Sequence, residues 1–250
     1  MKINEVKFSN AVLDALGMGS EYSKAKEMQR KAKVEQMQRQ ADFEQASKLA
    51  SVIKKTFCSE AGIYAGVYRR LMHRILSSLQ ARRLGCGGQY QTLALWLNNF
   101  EFGKQAPFSM LFKGSYSVFA DQNGENVVVY IPAFFPKVDI AFRDGYRRAR
   151  FRVVLLSLEG ERIASACEIF LPSFDLAATA HPGFRTSFEL PELAEPFHLI
   201  GIELERFGDD SYQFKRPIEN NTRAMKIIEV ISGSHEVKSF KTKKETRNAE

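Results

Sequence analysis

FEFGKQAPFSMLFKGSYSVFA, residues 100–120, carries the change of periodicity that decides the fold. Upstream of it apolar residues recur at three- and four-residue spacing in a charged chain without proline, the pattern of helices with one buried face. Pro107 is the first proline. Beyond it come short alternating apolar runs, broken by Pro, Gly and Asp-Asn pairs at the spacing of a β-sandwich. The reading is α+β: an N-terminal helical hairpin joined to an antiparallel immunoglobulin-like β-sandwich of about seven strands.

Upstream, residues 1–20 read as a flexible lead that ends in Gly17-Met18-Gly19-Ser20. From Ser20 to Lys55 there is no Pro or Gly, and Ala, Gln, Glu, Lys and Arg dominate, so helix is the local preference. Ser20 suits an N-cap and Glu21 the first turn. The first half of this helix is almost wholly polar, with Lys24, Lys26, Arg30, Lys31, Lys33 and Arg39 against Glu27 and Glu35. It is expected to project or to end early. Its second half places Phe43, Ala46, Leu49, Ala50 and Ile53 on one face. A second helix is expected over 59–83, on the ladder Ile63, Val67, Leu71, Ile75 and Leu79, stopped by Gly85-Cys86-Gly87-Gly88. Residues 89–98 add a short third. The helical region then covers 21–99.

Downstream, strands are expected at 115–120, 126–134, 149–158, 163–172, 186–191, 197–207 and 223–232, with 173–184 a loop. Phe is unusually common, 20 residues against one Trp and eight Tyr, as suits the space between two packed sheets. The Cys…Trp…Cys signature of true immunoglobulin domains is missing, because Trp96 precedes every strand. The sandwich is assigned 100–232. Residues 233–250 read as a disordered basic tail.

The chemistry is mostly negative. Cys58, Cys86 and Cys167 lie far apart, without CxxC or Cys/His spacing, and read as free thiols of a reducing compartment. His73, His181, His198 and His235 form no HxH or HxxxH pair, so neither a metal nor another cofactor is expected. Asp209-Asp210, and Asp139 with Asp144, are the carboxylate pairs; both fall in expected loops and read as solvated. No GxSxG, P-loop or GxGxxG is found. The N-terminal stretch has no uninterrupted apolar run, since Asn10 and Asp14 break Ala11 to Leu16. With no membrane-length segment either, a cytoplasmic location is expected.

Charge is the one strong bias, +7 overall. Lys24, Lys26, Arg30 and Lys31 on the polar helix, and Arg143, Arg147, Arg148 and Arg150 before and within the central strand, are candidate contacts to nucleic acid or another anion. Tyr146 and Phe151 interleave the second cluster, as stacking partners would. The plainer reading puts strand arginines on a solvent face, where charge also blocks edge pairing.

Several segments carry a resemblance: SKLASVIKKTF with YAGVYRRLMHRILSSL, LNNFEFGKQAPFSMLF, and VYIPAFFPKVDIAF with YRRARFRVVLLSLEG. Over residues 43–175 the chain resembles a group of uncharacterised Bacteroidota proteins that pair an N-terminal helical region with a β-sandwich. Phe100, Glu101 and Phe102 match that group's helix–sheet junction. Gly103 replaces its usual Asn, and Asp144-Gly145-Tyr146 its usual turn; its leading Gly-rich β segment is missing. The resemblance implies the fold and a non-enzymatic role, and supplies no site residues. The expected function is a structural or interaction module that meets a protein partner or its own copy through the polar helix and the sandwich's loops or edge. Nucleic-acid binding is the alternative. Phe100 and Phe102 are expected to seat the helices on the sheet, with Glu101 turned away to cap or to pair with an Arg.

Overall fold

The computed structural model describes residues 19–58, 64–121, 125–141, 146–208 and 223–232. Contacts divide the chain into two compact units, Met1–Gln45 and Ala46–Glu250. Helix α1, Gly19–Phe57, runs through that boundary without a break, so the polar half does not end early. Every described side chain from Lys26 to Ala41 is exposed. Good helix formers and the i,i+4 pairs Lys31–Glu27 (2.7 Å) and Arg39–Glu35 (3.6 Å) support the helix there, each pair by a few tenths of a kcal/mol.

In the larger unit the last turns of α1 bury Ala46, Leu49, Ala50, Ile53 and Phe57, but Phe43, expected on the same face, is 57% exposed. Helix α2, Val67–Arg83, begins eight residues later than the expected start at 59. Gly66 takes a left-handed φ of 69°, a conformation that a helix cannot continue through. Residues 59–63 lie outside the described part. The far end is a Schellman motif: the Cys86 amide donates to Ala81 and that of Gly85 to Arg82, with Gly85 at φ 79°. Helix α3 is Gln89–Leu97. Two four-residue helices escaped the sequence reading, α4 (Phe108–Leu111) and α5 (Pro136–Asp139).

The strands form two antiparallel sheets. The smaller has the order β1-β2-β6, from Ser117–Ala120, Asn126–Ile131 and Phe184–Glu189. The larger has the order β4-β3-β7-β8, from Arg162–Phe170, Arg148–Glu159, Phe197–Phe207 and Arg223–Ser232. A two-residue strand β5, Phe174–Asp175, lies within the expected loop and extends the β4 edge along β3. Of the expected lead over 1–20, residues 1–18 lie outside the described residues and Gly19 and Ser20 already belong to α1, so Ser20 is not its N-cap; the turn at 122–124 and the tail also lie outside the described residues.

Strands β3, β7 and β8 of the larger sheet are buried on both faces, whereas β4 is largely exposed. Val154, Leu156, Leu158, Leu199, Met225 and Ile227 join the three long helices in one core. Phe151, Val153, Leu155, Ile200, Ile202 and Leu204 join the small sheet and α4 in another. The second core is rich in Phe: Phe112, Phe134, Phe151 and Phe174 meet at centroid distances of 5.1–6.0 Å, mostly edge to face, the arrangement aromatic quadrupoles favour. A strand covered on both sides reads as a continuous apolar run, and VVLLSL in β3 is one. Gly201 on β7 allows a close approach, since a Cβ there would lie 2.4 Å from the ring of Phe57.

Candidate functional site

Three places in the larger unit concentrate unusual chemistry. The first is the junction. Phe100 and Phe102 are buried and their rings pack edge to face at 5.2 Å. Between them Glu101 makes a bridge to Lys226 on β8. The Phe102 amide donates to Met225, and the Ile227 amide to Phe100. The outer edge of β8 is thereby covered over this stretch. The carboxylate of Glu101 accepts the amides of Phe108 (2.7 Å) and Ser109 (3.2 Å) and so caps α4. Its pairing with an Arg is through the backbone instead: the Arg70 guanidinium donates to the carbonyls of Glu101 (2.7 Å) and Phe102.

The second is a buried ion network on the helix-facing side of the sheet. Antiparallel register sets Arg152 opposite Glu203 and Arg150 opposite Glu205. Arg152 Nε lies 3.0 Å from Glu203 Oε2, and Nη1 lies 3.2 Å from Glu168 Oε2. Both approaches fall off the N–H directions and make no directed hydrogen bond. Arg152 Nη2 donates to the carbonyl of Phe57 at 2.7 Å, at the C-terminal end of α1, where a cation suits the helix dipole. Tyr64 donates its phenol to Glu203 Oε1 at 2.8 Å. Burial pushes the Glu203 carboxyl up against the opposing pull of Arg152 and Tyr64. It pushes the Cys58 thiol up to about 12, with Glu203 adding to it, so this thiol is a poor nucleophile. Glu205 takes Arg150 Nε at 2.6 Å and also Arg223.

The third is the free edge of β4. Among the described residues only β3 pairs with it. Leu171 donates to Phe151 at 2.8 Å, so the antiparallel alternation turns the amides of Cys167 and Ile169 toward β3. Those of Ala166, Glu168 and Phe170 face outward. Ile163 and Phe170 are each 47% exposed. The guanidinium of Arg150 covers the Phe170 ring at 4.6 Å, and the extra residue opposite Ser157/Leu158 makes a bulge in β4.

The residues singled out from the sequence do not all converge. Lys24, Lys26, Arg30 and Lys31 are exposed on α1 within the smaller unit, and Lys31 pairs with Glu27. Arg143 lies outside the described residues. Arg147 is exposed. Arg148 donates to Ser173 Oγ at 2.7 Å, and Arg150 is held by Glu205. Arg152 is almost fully buried, which corrects the expectation that the strand arginines face solvent. The acids that neutralise them sit about fifty residues away on β7, invisible until the register is known. Phe100 and Phe102 lie in the core that the helices share with β3, β7 and β8.

Of the other candidates, Asp144, Asp209, Asp210 and His235 lie outside the described residues, and Asp139 accepts the amide of Phe135 at 2.7 Å. His198 Nδ1 shares a hydrogen bond of 2.8 Å with Ser157 Oγ. This Ser–His contact was missed in the sequence. It joins cross-strand partners on β3 and β7 that are both buried, and burial lowers the His198 pKa. Among the described residues no group of three His, Cys, Asp or Glu is placed to hold a metal, and no helix is long and apolar enough to cross a membrane. No family model matches the chain, and no curated protein matches it significantly.

Proposed function

We propose that this chain is a non-enzymatic interaction module that assembles through the free edge of β4, with a second copy of itself as the occupant. The strand order β1-β2-β6 facing β4-β3-β7-β8 supports an immunoglobulin-like sandwich whose larger sheet is covered over β3, β7 and β8 by the chain's own helices. That leaves strand addition at the edge as the way in for a partner. The observation that carries the reading is the row of outward amides at Ala166, Glu168 and Phe170, on the one edge of this sheet that no neighbouring segment closes among the described residues. Backbone pairing of this kind draws affinity from main-chain hydrogen bonds.

Self-pairing in antiparallel fashion is free of like-charge confrontation with Ala166 of each copy opposite Glu168 of the other. Shifting it by two sets Glu168 against its own copy, which is unfavourable. The preferred register sets Cys167 opposite its equivalent at a non-hydrogen-bonded position, where Cα atoms approach to about 4.5 Å.

Size-exclusion chromatography with light scattering tests this. A concentration-dependent dimer is expected, linked by a short bismaleimide through Cys167 and not through Cys86. Ala166→Pro removes an outward amide and spares the β3 ladder, so it should give a folded monomer. A wild-type chain that stays monomeric at all concentrations, or a dimer indifferent to Ala166→Pro, overturns the proposal.

A further inference from the structure

Between Glu60 and Glu101 the chain carries Arg69, Arg70, Arg74, Arg82 and Arg83 and not one acidic residue. Helix α2 gathers part of this charge: Arg70, His73 and Arg74 stand at i, i+3 and i+4, on one face. With Phe100 and Glu101 they line an open cleft of about 210 Å³. Arg70 is fixed by the carbonyls of Glu101 and Phe102 and stacks at 5.5 Å on Phe100. Two of its five N–H groups are so used, and the rest of the fork remains available. Burial also disfavours its charge, a cost that an anion in the cleft offsets. The Arg74 guanidinium rests 5.9 Å above the ring of Trp96, and among the described residues no carboxylate pairs with it. The one acid at the rim, Glu101, has both oxygens engaged by the amides that open α4.

We propose that this cleft binds a small phosphomonoester, its dianion held between the Arg70 and Arg74 guanidinium groups. Two planar forks one helical turn apart offer more donors than a carboxylate can accept, and three terminal phosphate oxygens use them. Two positive charges match the dianion. His73 adds a third donor at the mouth. The cleft shares no residue with β4, so this proposal stands apart from assembly.

Trp96 is the only tryptophan, so its emission reports on Arg74. The full chain is titrated with inorganic phosphate, adenosine monophosphate, succinate and an oligonucleotide without terminal phosphate, all at constant ionic strength. Saturable binding of phosphate and of the mononucleotide is expected, with succinate at least about tenfold weaker. Arg74→Gln should weaken phosphate about tenfold or more. Arg69→Gln removes the same charge from the next position outside the cleft and should change binding less than about twofold. Line broadening in ³¹P spectra reads the same order without relying on Trp96. A response that follows ionic strength alone, equal binding of succinate, equal effects of the two substitutions, or binding of the oligonucleotide alone overturns the proposal.

Discussion

Arg152 and Glu203 face each other across β3 and β7 with side chains 2% and 3% exposed, 3.0 Å apart at their nearest atoms. A buried pair of this kind owes its value to both partners being present. Removing one leaves a charge without its counterpart, which costs about 3–5 kcal/mol, whereas replacing both by apolar residues of similar volume is often neutral or stabilising. Arg152→Met and Glu203→Leu should each lower chemical-denaturation stability by about that amount. The double variant should lose less than either single one. Additive losses would show that the two residues act separately.

Acid–base behaviour follows from two buried groups of opposite sign. Glu203 has its pKa raised from the ordinary 4.5 by burial. The folded state therefore holds its proton more tightly, and the contribution to stability is present below 4.5 and lost as pH rises through the folded value. His198 has its pKa lowered from the ordinary 6.5 by burial. Its contribution is present above 6.5 and lost as pH falls through the folded value. Between 4.5 and 6.5 the two oppose. Relative to Glu203→Gln, the wild-type Tm should fall as pH rises from 4; relative to His198→Gln, it should rise toward 6.5. Differences that stay flat with pH would remove both assignments.

Gly201 is a packing requirement. Any Cβ there meets the ring of Phe57 at 2.4 Å, with the Met225 methyl at 3.2 Å. Gly201→Ala should destabilise by about 1–3 kcal/mol through overpacking. Phe57→Ala empties the same space and should cost about 3–5 kcal/mol. If Gly201→Ala were neutral while Phe57→Ala was costly, the ring would have room to shift and the close approach would not constrain the fold.

Much of the fold was legible because its signals are local. FHLIGIELERF and RAMKIIEVIS coincide with β7 and β8, and Gly85 marks the end of α2. What stayed hidden depends on partners distant in sequence. ARFR (149–152) alternates as a half-buried strand does, and only the cover that the helices supply makes Arg152 an interior residue. The helices at Phe108 and Pro136 span four residues each, too few for a period to show, although Pro136 at the first helical position was a cue. The cleft at Arg70 and Arg74 was visible as helix charge. Its depth comes from Phe100 and Glu101, thirty residues on.

The cover over β8 has a consequence for how copies can add to one another. A sheet with two free edges propagates, each copy offering one edge to the next, and such head-to-tail contact runs on as a fibre unless a ring closes it. Here the segment from Phe100 to Phe102 occupies one side. Growth of the larger sheet through β4 can join two chains about a twofold axis, while the far edge is closed to a further copy from Met225 to Ile227. Over that stretch Phe100 and Phe102 act as a stop.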